Sequence, residues 1–394
     1  MSLSKNLSLK IIESIEDIKN KSIEIANFIF NNPEVGKKEY KAKEILTRFL
    51  KENNFSVKED MESLPTAFIG EYNFENSGPS VAFLAEYDAL PGIGHACHHH
   101  IIAASSVCTA VALSKLNKYL AGKLYVIGTP AEENSDTKIK MIKQGIFNSV
   151  DVGIMLHGGP KNTTNLELYC LIGLEFIYTG KASHAASAPY EGINALDAIL
   201  LLFNSINALR QQLPEGVKIH GIITEGGKVA NIIPEKCKAK FYIRAKSKKL
   251  LNEVIIKVKN CAEGAKLQTG TKLKIIEFEG PLMNLNNNLT MANYYEFIFN
   301  SLGGKIENQP FLLGSSDIGN VSYTIPILNS MIKTANDNVC LHTKEFLESA
   351  TLEETYNQMI LGMKAMAITA SRVLLDKNYF NKIKREFNLT KNNF

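Results

Sequence analysis

The chain has 394 residues, 45% of them hydrophobic, and is therefore long enough to bury the cores of two domains. Its 44 basic and 40 acidic residues are interspersed and leave a net charge of +4. It contains no long basic stripe, zinc-finger spacing or aromatic RNA-reading motif, so nucleic acid is not an expected partner.

Cysteine usage and hydropathy indicate the cellular compartment. The six cysteines are scattered without a paired framework, as in cytosolic proteins whose thiols stay reduced. The N-terminal segment carries charges throughout and lacks the apolar core of a signal peptide. No apolar run reaches the length of about 18 residues that a transmembrane helix needs. We therefore expect a cytoplasmic protein with no membrane partner.

The pattern of apolar residues predicts an α/β fold. Helical spacing indicates two N-terminal helices, at 9–30 and 39–50. Three short apolar runs follow at 81–85, 123–127 and 152–156, separated by helix-like segments at 101–116 and 138–144. Continuous apolar runs bounded by Gly and Pro are typical of buried parallel strands. The order predicts a domain with a mainly parallel sheet.

The first of these strands leads into a Gly-rich loop that contains an aspartate, a cysteine and four of the eight histidines. The residues are Asp88, His95, Cys97, His98, His99 and His100. Alternate residues of an extended loop point the same way, which places Cys97 and His99 on one side. His95 is expected on that side too, and His98 and His100 on the other. A thiolate two residues from an imidazole suits zinc. A polar loop, or core histidines bonded to carbonyls, is the alternative.

The next two strands also end in candidate ligands. The second is followed by a Gly-Thr-Pro-Ala turn and the adjacent acids Glu132 and Glu133. Side chains of neighbouring residues diverge on extended backbone, so one carboxylate could bind metal while the other acts as a base. Surface acids that open the next helix are an equally good explanation until a third ligand is found. His157, after the third strand, supplies that ligand at the usual site of an open α/β sheet.

Between about residues 171 and 276 the pattern changes to a β-α-β-β-α-β order. The predicted strands are 174–180, 218–224, 237–245 and 272–278, and the predicted helices are 192–213 and 250–263. This order is the ferredoxin-like split unit, an α+β arrangement long enough for an inserted domain. We therefore predict a discontinuous catalytic domain, residues 1–170 and 281–394, interrupted by an inserted domain at 171–280.

Several motifs, spread from about Pro33 to about Ala350, together resemble the two-metal aminoacylase/carboxypeptidase amidohydrolases. In chain order they are PEVG, LPTAF, AEYDALPGIGHAC, GTPAEE, GKASHAASAPYEG, NALDA, HGIITEGG, NIIP and GSSDIGNVS. The most similar branch contains aminoacylase-like dipeptidases and an aminobenzoyl-glutamate hydrolase subunit. The resemblance implies a metal-dependent enzyme that hydrolyses the amide bond of a small N-acyl amino acid or dipeptide. It also implies a homodimer formed through the inserted lid domain.

The resemblance further implies a site with two divalent metal ions, zinc or manganese, with cobalt and nickel as alternatives. The metal ligands would be Cys97, which replaces a bridging carboxylate of other branches, and His99, Glu133, His157 and His342. Glu132 would be the general base, and Asp88 would orient a ligand or the metal pair. His98 and His100 depart from the family pattern, which has Gly and then Asn or Asp. They could add a ligand, alter the ion preference or lie outside the ligand set.

Within the inserted domain the resemblance points to three residues. His184, in the small-residue loop 182–189, would stabilise the tetrahedral oxyanion, often from the lid of a partner subunit. Asn231 and Arg244 would recognise substrate, and the planar guanidinium of Arg244 suits a carboxylate. A loop histidine and a solvated arginine without such roles are the alternatives.

Other interpretations of the site are open. Cys97 paired with His99 could act as a nucleophile, but the two glutamates and the two later histidines would then have no role. The chain could also be a catalytically silent metal-binding or assembly subunit, which only the unusual histidines support. Ser315 and Ser316 lack the G-x-S-x-G elbow of a serine nucleophile. Asp317 is expected to cap the following turn, with lining of the pocket as the alternative.

Overall fold

The computed structural model describes residues 3–59, 61–134 and 137–391. Its helices are α1 (Lys5–Asn31), α2 (Tyr40–Glu52), α3 (His99–Ser114), α4 (Thr137–Lys143), α5 (Ala195–Arg210), α6 (Lys248–Thr269), α7 (Leu289–Ser301), α8 (Ile318–Val321), α9 (Lys344–Glu348), α10 (Glu353–Leu375) and α11 (Lys377–Thr390). Its strands are β1 (Ser56–Lys58), β2 (Phe68–Asn73), β3 (Ser80–Ala85), β4 (Lys123–Gly128), β5 (Val152–Gly159), β6 (Leu166–Leu168), β7 (Cys170–Thr179), β8 (Lys218–Glu225), β9 (Lys236–Ala245), β10 (Lys272–Leu282), β11 (Phe311–Gly314) and β12 (Ile327–Lys333). Short 3-10 turns cover Glu132–Asn134 and Pro189–Glu191.

The chain folds into two compact units, each with its own hydrophobic core. The first unit contains the chain up to Glu167, the segment Leu285–Leu313 and the chain from Asp317 onward. The second unit contains Leu168–Asn284 and the short piece Gly314–Ser316. The chain therefore leaves the first unit after Glu167 and returns to it at Leu285.

The first unit is built on a six-stranded sheet with the order β1-β2-β4-β3-β5-β12. The four strands β4, β3, β5 and β12 are parallel; at one edge β2 pairs antiparallel with β4, and β1 pairs antiparallel with β2. Every residue of β3 and β5 is buried, as expected for strands covered on both faces. The predicted α/β fold with a mainly parallel sheet is confirmed.

Strand β5 is longer than the apolar run that predicts it. It continues through His157, Gly158 and Gly159, which pair in register with the last residues of β12. A Cβ atom on Gly159 would lie 2.2 Å from the Met331 sulfur, so the glycine permits close packing of the two strands. The Gly-Gly pair that suggests a strand end in the sequence is therefore part of the strand.

The helices of the first unit bury long apolar segments. All 16 residues of α3 are buried, and the helix packs against α1, α10 and the sheet. Among the described residues α10 is long and apolar enough, by length and composition, to cross a membrane. However, 72% of its most apolar window is buried inside the protein, and the core helix of a soluble protein has the same properties.

The second unit has a four-stranded antiparallel sheet with the order β10-β7-β9-β8. Buried and half-buried residues alternate along β9, and both α5 and α6 pack against β7 and β9. The predicted β-α-β-β-α-β order is confirmed. Strand β8 forms one edge of this sheet, where the side chains of Ile222 and Ile223 are 64% and 41% exposed.

Candidate metal centre and active site

The parallel strands β3, β4 and β5 bring the predicted metal ligands together in the first unit. Three overlapping groups have ligand atoms that all lie within 4.8 Å of one another: Cys97, His99 and His157; Cys97, Glu133 and His342; and His99, Glu132 and Glu133. Because the groups share members, the five predicted ligands and Glu132 form one continuous cluster. This arrangement could hold metal ions.

The buried imidazole of His99 lies at the centre of this cluster. Its Nδ1 is 3.0 Å from both the backbone oxygen and Oδ1 of Asp88, so the Nδ1 proton is donated to that residue. Its Nε2 is fully buried and has no hydrogen-bond partner. Carboxylate oxygens of Glu86, Glu133 and Glu132 lie 3.6, 3.8 and 4.0 Å from Nε2. A buried ring nitrogen that has no hydrogen-bond partner and faces carboxylates, with the other nitrogen bonded to an aspartate, fits a metal ligand.

Cys97 and His157 complete the buried side of the cluster. The Sγ atom of Cys97 is 3.7 Å from Nε2 of His157, whose Nδ1 contacts the Gly158 carbonyl. Burial raises the pKa of the Cys97 thiol and lowers the pKa of His157. A thiolate at this position therefore needs a nearby cation, which disfavours a free nucleophilic cysteine and fits a metal ligand.

His342 reaches the cluster from the opposite end of the chain. Its backbone N–H donates to the Ala96 carbonyl at 2.9 Å, and its backbone φ is +66°. Its Nε2 is 3.4 Å from Oε1 of Glu133, and its side chain is 48% exposed. The hydrogen bond to Ala96 thus fixes His342 beside the loop that carries Cys97.

Glu132 and Glu133 have different electrostatic environments. Burial raises the pKa of Glu132, and the charges of Glu86 and Glu133 raise it further. Burial also acts to raise the pKa of Glu133, but the His342 imidazole, 3.4 Å away, and the charge of His99 outweigh it, so this pKa is lowered. A proton shared by the pair therefore resides on Glu132, and Glu133 is the carboxylate that stays ionised.

The structure corrects two expectations about this pair. The predicted extended backbone is wrong, since Glu132 and Glu133 lie in a 3-10 turn. Both carboxylates therefore approach the same His99 nitrogen instead of diverging. The alternative of surface acids at a helix start is also wrong, because the two side chains are only 13% and 12% exposed.

Asp88 connects the loop after β3 to the turn after β4. Its Oδ1 accepts from His99, and its Oδ2 accepts the Glu133 backbone N–H at 3.0 Å. It belongs to none of the groups that could hold a metal among the described residues. Its carboxylate thus orients one predicted ligand and the backbone of another.

The other three histidines of the loop, His95, His98 and His100, lie away from the ligand cluster. The prediction that His95 shares one side of the loop with Cys97 and His99 is therefore wrong. His98 has a left-handed φ of +60° and α3 begins at His99, so the backbone is not extended. His98 bonds to the Thr334 hydroxyl and the Phe346 carbonyl, and His100 to the Ala350 carbonyl. The His95 ring lies 5.4 Å from the His100 ring. Burial lowers the pKa of His95 to about 4 and that of His98 to about 3, so both are neutral.

Three further charged residues adjoin the cluster, and none of them was given a role in metal binding or catalysis from the sequence. Lys138 of α4 is fully buried and forms ion pairs with Glu86 and Asp317. The expectation that Asp317 caps a turn is wrong, since its side chain makes no cap bond and instead binds Lys138. Glu86 precedes Asp88 by two residues in the AEYDALPG motif, which is the one signal that could have identified it.

The remaining predicted site residues lie in the second unit. His184 is exposed, and its Nδ1 accepts the backbone N–H groups of Ala186 and Ser187, both at 3.2 Å. The Asn231 carbonyl accepts the Ala185 N–H at 3.0 Å, so His184 and Asn231 belong to adjacent segments. Arg244, on β9, donates from Nη1 to the Ser315 hydroxyl at 2.7 Å.

Comparison with known proteins agrees with this fold and cluster. A sequence profile described as the peptidase dimerisation domain matches residues 166–269. The chain is 34% identical to the Xaa-Arg dipeptidase of Mus musculus, over 97% of this chain and 92% of that protein. It is 26% identical to one of the subunits of the p-aminobenzoyl-glutamate hydrolase of Escherichia coli, over 95% and 94% of the two chains.

Solved structures show the same fold. A dinuclear metal-binding peptidase of the M20 family from Bacillus subtilis superposes with a TM-score of 0.70 at 21% identity, over 91% of this chain and 99% of that one. An aminobenzoyl-glutamate utilization protein from Klebsiella pneumoniae superposes with a TM-score of 0.71 at 15% identity, over 92% and 98%.

The protein is thus a metal-dependent amidohydrolase. The chain belongs to the M20 peptidase family, the two-metal family that its motifs resemble, and to the branch of the dipeptidase and aminobenzoyl-glutamate hydrolase relatives. Both the family prediction and the prediction of an enzyme of this class are confirmed.

The turn that carries the two glutamates is held by another buried carboxylate, Glu39. Its Oε1 accepts the Ala131 backbone N–H at 2.7 Å, and its Oε2 accepts the Thr66 hydroxyl at 2.7 Å. Ala131 immediately precedes Glu132 and has a left-handed φ of +56°. Glu39 therefore stabilises a strained residue at the start of the turn.

The buried position of Glu39 predicts a specific pH dependence of stability. Burial raises its pKa above the usual value of 4.5 in the folded protein. The stabilisation is then fully present below pH 4.5 and is lost as pH rises through the folded pKa. Glu39→Gln carries no charge, and its amide oxygen can accept the Ala131 N–H while its amide NH2 donates to the Thr66 hydroxyl oxygen. In urea unfolding from pH 4 upward, wild type should therefore lose stability relative to Glu39→Gln, whereas the exposed Glu52→Gln control on α2 should follow wild type. Parallel curves for wild type and Glu39→Gln would contradict this account.

Proposed function

We propose that the protein is a two-metal hydrolase that cleaves dipeptides or small N-acyl amino acids with a free carboxylate. The observation that carries this proposal is one cluster of thiol, imidazole and carboxylate groups that includes Glu132 and is buried except at His342. The names of the relatives support the substrate class, since a Xaa-Arg dipeptidase, an aminobenzoyl-glutamate hydrolase and an N-acetyl-L-cysteine deacetylase each act on an amide of an amino acid.

The residues that would hold the two ions are Cys97, His99, Glu133, His157 and His342. The unpartnered Nε2 of His99 and the nearby thiol and carboxylate form a mixed donor set that suits zinc, with manganese as the alternative. When bound, such ions supply Lewis acidity that polarises the scissile carbonyl and brings the pKa of a water toward neutrality.

The protein's own residues would handle the proton and the developing charge. Glu132, whose pKa is raised by burial, is suited to take a proton from the attacking water and pass it to the leaving amine. The Nδ1 atom of His184 accepts two backbone N–H groups, so the N–H of this exposed side chain is at Nε2. That N–H could donate to the oxyanion of a tetrahedral intermediate. Asn231 is a further candidate for substrate recognition.

The role of Glu132 as general base leads to a prediction. Glu132→Gln should keep the metal content of wild type but lower kcat by about 10²–10⁴-fold, because the amide cannot accept the proton. Glu133→Gln is the matched variant and should instead lose metal. Both properties can be measured by elemental analysis of dialysed protein and by turnover on a panel of dipeptides and N-acyl amino acids. Near-normal turnover of Glu132→Gln would refute the assignment.

A second prediction concerns Arg244. Arg244→Ala should raise KM for a substrate with a free terminal carboxylate roughly tenfold or more, since a charge-assisted hydrogen bond contributes about 1.5–3 kcal/mol. The KM of the same substrate capped as an amide should not change. Arg244→Lys keeps the charge but loses the planar guanidinium group, so its KM should lie between those of wild type and Arg244→Ala. Equal KM values for wild type and Arg244→Ala would exclude this role.

We also propose that two copies of the chain pair through β8. This edge strand lies within the part matched by the dimerisation domain and exposes Ile222 and Ile223. An unpaired, apolar edge strand is a template for pairing with an identical strand.

The pairing can be tested by analytical ultracentrifugation. Ile222→Asp should shift the protein from dimer to monomer, because it places a charge in the paired edge. Leu389→Asp is the matched control, since Leu389 is 65% exposed on α11 of the first unit. A monomeric wild type, or a dimer unaffected by Ile222→Asp, would contradict pairing through β8.

A further inference from the structure

Beside the candidate metal centre is a second group of carboxylates, formed by Glu86, Glu132 and Asp317. Their oxygens lie within 4.8 Å of one another, an arrangement that could itself hold a metal ion. Glu86 and Asp317 are 1% and 0% exposed. Carboxylates this close and this buried repel one another and are costly to ionise without a cation between them.

The ammonium group of Lys138 lies in this group. Its Nζ is 2.8 Å from Oε1 of Glu86 and 2.5 Å from Oδ1 of Asp317, and the side chain is fully buried. Asp317 also accepts the Lys138 backbone N–H at 2.9 Å, a bond that does not depend on the ammonium. The carboxylate of Asp317 would therefore stay in place if the ammonium were removed.

This carboxylate group is adjacent to the predicted ligands. The second oxygen of Glu86 lies 3.6 Å from Nε2 of His99, the nitrogen that would bind metal. Glu132, the proposed base, belongs to this group and also to a ligand group with His99. A change in the cation between Glu86 and Asp317 would thus alter the charge environment of Glu132 and His99 at the proposed reaction centre.

We propose that Lys138 is a positioning residue that takes the place of a third metal ion. Its ammonium balances the charge of Glu86 and Asp317, keeps Glu86 beside His99 and limits the site to the two ions of the proposed function, on which this inference rests. Without the ammonium, three carboxylates with hard oxygen donors would remain, and such donors suit Mn²⁺.

The test is a metal count on the full chain. Wild type and Lys138→Met are dialysed to equilibrium against Mn²⁺, and manganese per chain is measured by mass spectrometry. Lys138→Met should bind one more ion per chain than wild type. Lys138→Arg keeps a cation and should match wild type, as should Lys143→Met, an exposed control on the same helix. Lys138→Met/Asp317→Asn removes one carboxylate and should return the count to that of wild type.

Activity provides the readout for positioning. Lys138→Met should lower kcat at least tenfold with little change in KM, and Lys138→Arg should restore most of kcat. A folded Lys138→Met with the wild-type metal count and wild-type kcat would overturn the proposal.

If Lys138→Met folds only in Mn²⁺ and not in chelator, the ion replaces the ammonium as proposed. Failure to fold under both conditions would contradict it. The wild-type count tests the two-metal function separately, because the inference concerns only the difference between variants.

Discussion

The site depends on buried negative charge that the protein balances only in part. Five carboxylates lie within the candidate ligand cluster or in contact with it: Glu86, Asp88, Glu132, Glu133 and Asp317. Among the described residues, Lys138 is the lysine whose ammonium group forms ion pairs with them. Burial raises the pKa of the Cys97 thiol, so its ionised form adds one more buried negative charge that a cation must balance. Divalent cations are the simplest means of stabilising this arrangement. The same charge that would bind them also separates the pKa values of the two adjacent glutamates.

The parallel sheet explains how residues that are distant in the chain come together at this site. The loops after β3 and β4 and the end of β5 lie at the carboxyl ends of neighbouring parallel strands, and the hydrogen bond between the His342 N–H and the Ala96 carbonyl adds the last candidate ligand. The buried carboxylate of Asp88 orients the His99 ring and accepts the Glu133 backbone N–H. The buried carboxylate of Glu39 accepts the backbone N–H of Ala131. The candidate ligands other than the half-exposed His342 are thus held by packed elements, which favours a preorganised centre over one that forms only when metal binds.

Much of this centre could be predicted because the signals were local. Apolar runs bounded by Gly and Pro predicted β3, β4 and β5, and motif resemblance pointed to the candidate ligand residues that converge. Backbone conformation was less predictable, since the left-handed His98 and the 3-10 turn at Glu132 changed which side chains face each other. The ion pair of Lys138 with Asp317 joins residues far apart in the chain, and neither residue type indicates such a partner in advance. Long-range pairing of buried charges requires the folded structure.

The most direct test of the central claim is anomalous diffraction from crystals of the metal-loaded protein, collected on both sides of the metal absorption edge. The account predicts two peaks roughly 3.5–4 Å apart, with ligands among Cys97, His99, Glu133, His157 and His342 and with Glu132 not coordinated. Peaks elsewhere in the chain, or a loaded protein with no ion within reach of the His99 Nε2 atom, would contradict it.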